Sequence, residues 1–432
     1  MKKINIFWHR RDLRTSDNAG LYYALNDSLP VLPIFIFDTN ILDKLEDKHD
    51  ARVQFILNQL VRINKDYQNL KSGLMVFNCS PEKAFETLME KFEVNAIFTN
   101  RDYEPYAKER DQHISRKLND NGIAFHDFKD HVIFEKREIL TDNKEPYKVF
   151  TPYKNKWLDK LSKNKLEEFN TDQCLNNLFQ YDSELLPSLE DLGFKESKIQ
   201  IPGNSIKEEI IVNYGDDRDY PAKNGTSRLG VHLRFGTVSI RYAVKHARNL
   251  SEIWLSELIW RDFYMMVLSN YPNVVGNAFK PKYDRIPWIN NQEHFDKWCA
   301  GKTGYPIVDA GMRELNATGY MHNRVRMVVA SFLTKHLLVD WRWGEHYFAK
   351  KLLDFELSSN NGGWQWAAGT GTDAQPYFRV FNPTSQQDKF DKQMAYIKKW
   401  IPEINTSGYP APIVEHKKAR ERAINTYKEA VS

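Results

Sequence analysis

The residues best suited to do chemistry crowd into 354–366, Asp-Phe-Glu-Leu-Ser-Ser-Asn-Asn-Gly-Gly-Trp-Gln-Trp. Asp354 and Glu356 supply two carboxylates, Asn360 and Asn361 supply amides that can donate to and accept from a heterocycle, and Gly362-Gly363 permits close backbone approach. Trp364 and Trp366 flank what reads as a turn, so a polar ring system fits here. A second cluster is 254–261, Trp-Leu-Ser-Glu-Leu-Ile-Trp-Arg. Helical spacing puts Trp254, Glu257 and Trp260 or Arg261 on one face, and a carboxylate among indoles is partly desolvated and able to bond a base edge. The plain alternative is an i,i+4 pair of Glu257 with Arg261 on a half-buried helix. In 319–327, Gly-Tyr-Met-His-Asn-Arg-Val-Arg-Met, the residues Asn323, Arg326 and Met327 share a face while Arg324 points aside, where it can reach a phosphate. Taken singly, Met327 serves equally as core filler and Arg324 as a solvated charge. At 225–230, Gly-Thr-Ser-Arg-Leu-Gly sets the hydroxyls of Thr226 and Ser227 and the cation of Arg228 before the helical run 231–235. That is either an anion-binding helix start or an ordinary capped turn.

Elements must hold these groups in place. The N-terminal third alternates apolar runs at 4–8, 31–37, 74–78 and 96–99 with amphipathic stretches of helix length, the pattern of a doubly wound parallel sheet. Ser80-Pro81-Glu82 marks one helix start, with an N-cap, a first-turn proline and an acid for the dipole. No GxGxxG follows any of these runs, so any ligand of this sheet is a secondary one. From 132 to 203 the chain turns polar, which reads as a linker with some helix. Beyond it, 253–268, 307–316, 321–338 and 346–353 have helical period, with a shorter helical piece at 288–300 and almost no strand signal. The expected fold class is therefore α/β, with a doubly wound parallel-sheet domain at 1–131, a linker at 132–203 and an all-helical domain at 204–432.

Bulk composition narrows the function classes. The 432 residues carry 61 lysines and arginines against 57 acids, so net charge alone does not argue for a polyanion partner. Three scattered cysteines, without CxxC or a His/Cys cluster, support neither a disulfide framework nor a metal site, and fit a reducing cytoplasm. No apolar run approaches the ~20 residues of a membrane span, and the N-terminus lacks a signal-peptide pattern. Nine of the 11 tryptophans lie after residue 250, which points to a use of large π-systems in the helical half beyond core filling.

Together the motifs NNGGWQWAAGTGTDAQPYFRVFNPTSQQDKFD, GYMHNRVRM and WLSELIWRDFY resemble the photolyase and cryptochrome family, and within it the bacterial class I photolyases for cyclobutane pyrimidine dimers. The resemblance spans the chain. It implies an N-terminal α/β domain and a C-terminal helical domain that holds FAD, and repair by light-driven electron transfer from reduced FAD to a dimer flipped out of single- or double-stranded DNA. By this resemblance Tyr214, Thr226, Ser227, Arg228, Leu229, Gly230, Trp254, Arg326, Asp354 and Glu356 hold the FAD, with Asn360 beside the flavin N5. Glu257 and Asn323 bond the dimer, Trp260, Met327 and Trp366 pack its apolar faces, and Arg218, Arg261, Arg324 and Gln386 hold the DNA. Trp364, Trp341 and Trp288 match the family's tryptophan chain for photoreduction of oxidised flavin. A monomer without a metal or a membrane partner is expected.

Two departures qualify the match. Tyr106-Ala107 stands where folate-binding members carry Asn-Glu, so the antenna expected here is a deazaflavin or another flavin, or none, rather than folate. Asp-Phe-Glu at 354–356 replaces the more usual Asp-Gly-Asp, which keeps a carboxylate at each end. The alternatives are a (6-4) photolyase, which would show histidines where Asn323 and Met327 stand, and a cryptochrome-type photoreceptor, which usually carries a tail and replaces the asparagine at 360. An ordinary flavin oxidoreductase would need a proton donor and a hydride route, and no separate motif supplies them.

Overall fold

The computed structural model describes residues 2–183 and 185–432. It divides into two compact units that alternate along the chain: residues 2–135, 161–183, 185–205 and 229–246 form the first, and 136–160, 206–228 and 247–432 the second.

The first unit is built on five parallel strands, β1 (Lys3–His9), β2 (Val31–Asp38), β3 (Met75–Cys79), β4 (Glu93–Asn100) and β5 (Ala124–Phe128), in the order β3-β2-β1-β4-β5. The unbroken apolar runs of β1 and β2 follow from their central place, where helices cover both faces. The crossovers are α1 (Ala19–Leu25), α2 (Ala51–Gln68), α3 (Pro81–Lys91) and α4 (Pro105–Asp120). Ile4, Ile6, Trp8, Leu32 and Ile34 pack with Phe85, Leu88, Ile114 and Leu118 to form the core on one side of the sheet. The expected start of α3 is present: Ser80 accepts from the Lys83 N–H at 3.4 Å, with Pro81 in the first turn. The four expected strands are present, but β5 escaped the pattern, because Ala-Phe-His-Asp-Phe at the sheet edge is polar and only half-buried.

Beyond the carboxyl ends of these strands the unit is closed by its own ions. Asp130, 1% exposed, takes Arg14 at 2.6 Å and Arg241 at 2.7 Å, and Arg11 meets Asp102 at 3.0 Å. Burial pushes the Asp130 carboxyl up, but the two guanidiniums outweigh it and hold the group well below the usual range.

The second unit has no strand among its described residues. It contains most of α5 (Phe150–Lys163), while α6 (Gly230–Arg234) and the greater part of α7 (Ile240–Leu250) fall in the first unit. Its main helices are α8 (Glu252–Asn270), α9 (Pro306–Thr318), α10 (Asn323–Ser331), α11 (Trp341–Lys351), α12 (Leu357–Ala368), α13 (Pro383–Phe390) and α14 (His416–Val431). The core joins Ile307, Val308 and Met312 of α9 to Val325 and Val329 of α10 and Phe348 of α11. Two expectations fail locally. The helix expected over 321–338 passes into a π-helical turn, Phe332–His336, where the buried Lys335 ammonium donates to the Ala368 carbonyl at 2.8 Å. The turn expected around Gly362-Gly363 is a helix, since α12 runs straight through both glycines.

Candidate active site

Four segments of the second unit carry the polar residues singled out above. In α8, capped by Ser251, Trp254 is 3% exposed and belongs to the core, whereas Glu257, one turn on, keeps a third of its side chain open. The i,i+4 pair with Arg261 does not form. Glu257 is bonded by the Arg218 guanidinium, and Arg261 turns instead to Glu356, Nε to Oε2 3.2 Å. Burial raises the Glu257 carboxyl above its ordinary value, and Arg218 pulls the other way without cancelling the shift. Tyr214 lies in a single turn, Tyr214–Asp217, under the Arg218 guanidinium, whose centre is 5.7 Å from the ring. Its phenol is raised by burial first and then by Glu257.

Residue His322 starts α10 in an unusual way. Its Nδ1 accepts from the Arg324 N–H at 3.2 Å, a capping role more often taken by Ser, Thr or Asp. This fixes an exposed Asn323 at the first position of the helix, with Met327 one turn behind it and half-buried. Arg324 bonds Asp219 at 2.7 Å and lies over the Phe390 ring of α13 at 4.4 Å, and the half-buried Gln386 stands on that same helix. Arg326 is held on two sides, by the Met321 carbonyl at 2.7 Å and by both oxygens of Asp354 at 3.0 and 3.2 Å. One nitrogen, Nη2, makes both contacts to Asp354 while Nε takes the Met321 carbonyl, so the guanidinium is anchored at two points.

Along α12, Glu356, Asn360 and Gly363 follow at helical spacing on one face. Glu356 and Asn360 are buried, and the Asn360 amide donates to the Glu345 carbonyl at 3.0 Å. Gly363 is exposed, and a Cβ built there meets nothing within 4 Å. At Gly362 the same atom would fall 2.2 Å from the Tyr264 ring. One glycine therefore lets two helices touch, and the other leaves an open strip beside Asn360 against which a flat ring can lie. Trp366, half-buried, closes the next turn. This strip, which follows the ion-paired carboxylates Asp354 and Glu356 at the start of α12, fits the FAD implied by the resemblance.

The loop before α6 is held by side-chain contacts rather than by a helix cap. With five residues, α6 is too short for a strong dipole, and no side chain caps it. Thr226 instead shares a hydrogen bond with the Tyr320 hydroxyl at 3.1 Å, and the Arg228 guanidinium lies 4.6 Å from the centre of that ring, with its backbone at φ +52°. Ser227 is half-buried beside them, while Leu229 and Gly230 fall in the first unit. Tyr320 and His322 were passed over in the sequence, although both sit inside the Gly-Tyr-Met-His-Asn-Arg motif that flagged Asn323.

Of the three tryptophans, Trp364 and Trp341 are buried, at 3% and 1% exposed, and Trp288 is half-buried. The Trp364 ring lies on Gly344 of α11, one turn from Trp341, so closely that a Cβ at 344 would come within 2.1 Å of it. Trp288 meets the buried Tyr427 edge-on at 5.8 Å. Trp298, fully buried, packs on Trp364 at 6.1 Å and was not singled out. Among the described residues no group of His, Cys, Asp or Glu side chains could hold a metal, and no helix is long and apolar enough to cross a membrane.

Comparison with known proteins identifies the family and the fold. Residues 5–171 match the family model described as DNA photolyase, and 254–407 match the FAD binding domain of DNA photolyase. A deoxyribodipyrimidine photo-lyase of Halobacterium salinarum is 37% identical, over 99% of each chain. That of Escherichia coli is also 37% identical, over 99% of this chain and 98% of its own. Among solved structures, an archaeal photolyase from Sulfolobus tokodaii, described with two FAD molecules, superposes with a TM-score of 0.84 at 36% identity, covering 98% of this chain and 99% of its own. A bacterial class III photolyase from Agrobacterium tumefaciens superposes with a TM-score of 0.88 at 29% identity, covering 100% and 98%.

Proposed function

The chain belongs to the DNA photolyase family, and on that footing we propose how its second unit repairs cyclobutane pyrimidine dimers, with Glu257, Asn323, Met327 and Asn360 at the reacting centre. The enzyme is a flavoprotein lyase acting on pyrimidine dimers in DNA. The observation that carries the assignment of residues is the open strip of α12, where Gly363 leaves space one turn beyond Asn360, on the helix that starts at two ion-paired carboxylates.

FAD held there would supply the light-driven electron-transfer chemistry that opens the cyclobutane ring with no net redox change. The remaining work falls to this chain. Asn360, Glu356, Asp354 and Arg326 hold the ring system, with Trp254 behind them. Tyr214 and the segment Thr226, Ser227, Arg228, Leu229 and Gly230 take the nucleotide's polar part with hydroxyls and a cation. Glu257, whose carboxyl is raised by burial, and the exposed amide of Asn323 bond the polar edge of the dimer. Trp260, Trp366 and Met327 pack its apolar faces and exclude water. Arg218, Arg261, Arg324 and Gln386 hold the flanking phosphates, and flipping costs less at a damaged base pair.

For the antenna, we assign a deazaflavin or another flavin rather than folate. The Tyr106 hydroxyl donates to Asp38 at 2.6 Å where folate-binding members carry Asn-Glu, and burial with Asp38 pushes that phenol up to about 12. The reading includes a monomer, and a reducing cytoplasm that three unpaired cysteines support. The test is loss of thymine dimers from an irradiated oligonucleotide by reduced protein, in blue light and in the dark. Repair only in light is expected. Bound flavin without repair would move the function to a photoreceptor, and absence of flavin would overturn the reading.

A further inference from the structure

The start of α5 reads as linker in the sequence, yet it delivers one aromatic ring directly behind the proposed lesion site. Phe150 lies parallel to Trp260, with ring centroids 3.6 Å apart and planes 8° from coplanar. Phe263 meets both rings edge-on, at 5.8 Å from Phe150 and 5.6 Å from Trp260, and Tyr264 leans on Trp260 at 5.3 Å. Phe150 itself is 6% exposed, while Trp260 is half-buried. One face of the indole is therefore covered and the rest of the ring turns outward beside Glu257, one helical turn away.

The backing ring is itself tied down. The Phe150 N–H donates to Asp373 at 3.0 Å, and the Thr372 hydroxyl donates to the Lys148 carbonyl at 2.5 Å. Asp373 holds φ +45°, a left-handed backbone that a non-glycine residue keeps only when its surroundings fix it. Residues 148–150 are thus clamped to the loop that leaves α12. Among the described residues no hydrogen bond or ring contact of Phe150, Thr372 or Asp373 reaches a flavin-holding residue named above, and the ring Phe150 stacks on is Trp260.

We infer that Phe150 is a lesion-positioning residue: it sets the plane of the Trp260 indole and blocks its rear face, so that an incoming dimer stacks on one side in one orientation. The inference rests on the reading of Trp260 as a dimer contact. An indole free to tilt would still pack against undamaged bases but would discriminate less well for the bent, non-aromatic face of a dimer.

The test measures Kd for an oligonucleotide with a single thymine dimer and for the same oligonucleotide undamaged, using the FAD-loaded protein. Phe150→Leu is expected to raise Kd for dimer DNA by about three- to tenfold, the size of one aromatic pair, and to lower the ratio of dimer to undamaged affinity. Phe150→Tyr keeps a flat ring and restores the ratio. In a Trp260→Ala background, Phe150→Leu should add nothing further. If Phe150→Leu leaves the ratio unchanged, or acts in full without Trp260, the inference is overturned while the reading of Trp260 stands. If Trp260→Ala alone binds dimer DNA normally, the reading of Trp260 fails, and the inference with it. Should Phe150→Leu fail to retain FAD, Phe150→Met is read in its place against the same outcomes.

Discussion

Glu257 and Trp364 illustrate how single side chains divide the work. The Glu257 carboxyl is raised by burial, while Arg218 alone among the described hydrogen-bond donors bonds it, so it retains capacity for a ligand. Glu257→Ala should lower the repair quantum yield several-fold, as loss of one hydrogen bond of about 1–2 kcal/mol requires, with flavin content unchanged. Full repair at saturating dimer would remove Glu257 from the site. Trp364 touches Gly344, Phe348 and Trp298. Trp364→Phe should stop photoreduction of oxidised FAD in a reductant-containing buffer, followed by absorbance, while chemically reduced protein still repairs. Normal photoreduction in that variant would exclude Trp364 from the electron path. The sequence showed these types and spacings clearly, but not their partners. Arg261 was as well placed for Glu257 as for Glu356, and only the approach of α12 to α8 decides between them.

At the scale of elements, α12 makes the sharpest test, since its two consecutive glycines face different surroundings. Gly363→Leu adds a side chain to open space in a helix interior, which gains about 1 kcal/mol of helix propensity. The apoprotein should therefore melt no lower than the unsubstituted protein, yet flavin content after purification should collapse, because the side chain fills the ring's strip. Gly362→Ala should do the reverse to stability, since its Cβ falls 2.2 Å from Tyr264. A Gly363→Leu protein that retains its flavin would show that the strip lies elsewhere. Local sequence misled here because Asn-Asn-Gly-Gly is a turn signal by propensity, overridden by the packing of Trp364, Ala367 and Ala368 into the core. Elsewhere periodicity sufficed. The apolar runs of β1 to β4 and the helical stretches of α8, α9 and α11 lie in the expected places, within a few residues for all but the start of α11. β5 was illegible because an edge strand needs few apolar residues, and Phe150 because nothing in a polar stretch of 132–203 announces what its one ring will touch.

Across the whole molecule, three buried histidines set how stability responds to acid. Burial lowers His131 and His322 to about 4 and His336 to about 3. Since these folded values lie below the unfolded value of 6.5, the unfolded chain takes up protons first as pH falls. Stability should then decline from about pH 6.5 to pH 4, by roughly 3 kcal/mol for each histidine as an order of magnitude, about two thirds of it by pH 5. Urea unfolding at pH 7 and pH 5 checks this, and equal free energies at both would refute it. The alternation of the two units along the chain bears on a different matter, the order in which the protein can be made. Asp130 has its Arg14 partner early, but Arg241, which binds both Asp130 and Asp17, belongs to the last stretch of the first unit. More than half of the chain must therefore leave the ribosome before the nascent α/β unit can be finished, and by then two stretches of the helical unit have already emerged ahead of its main body.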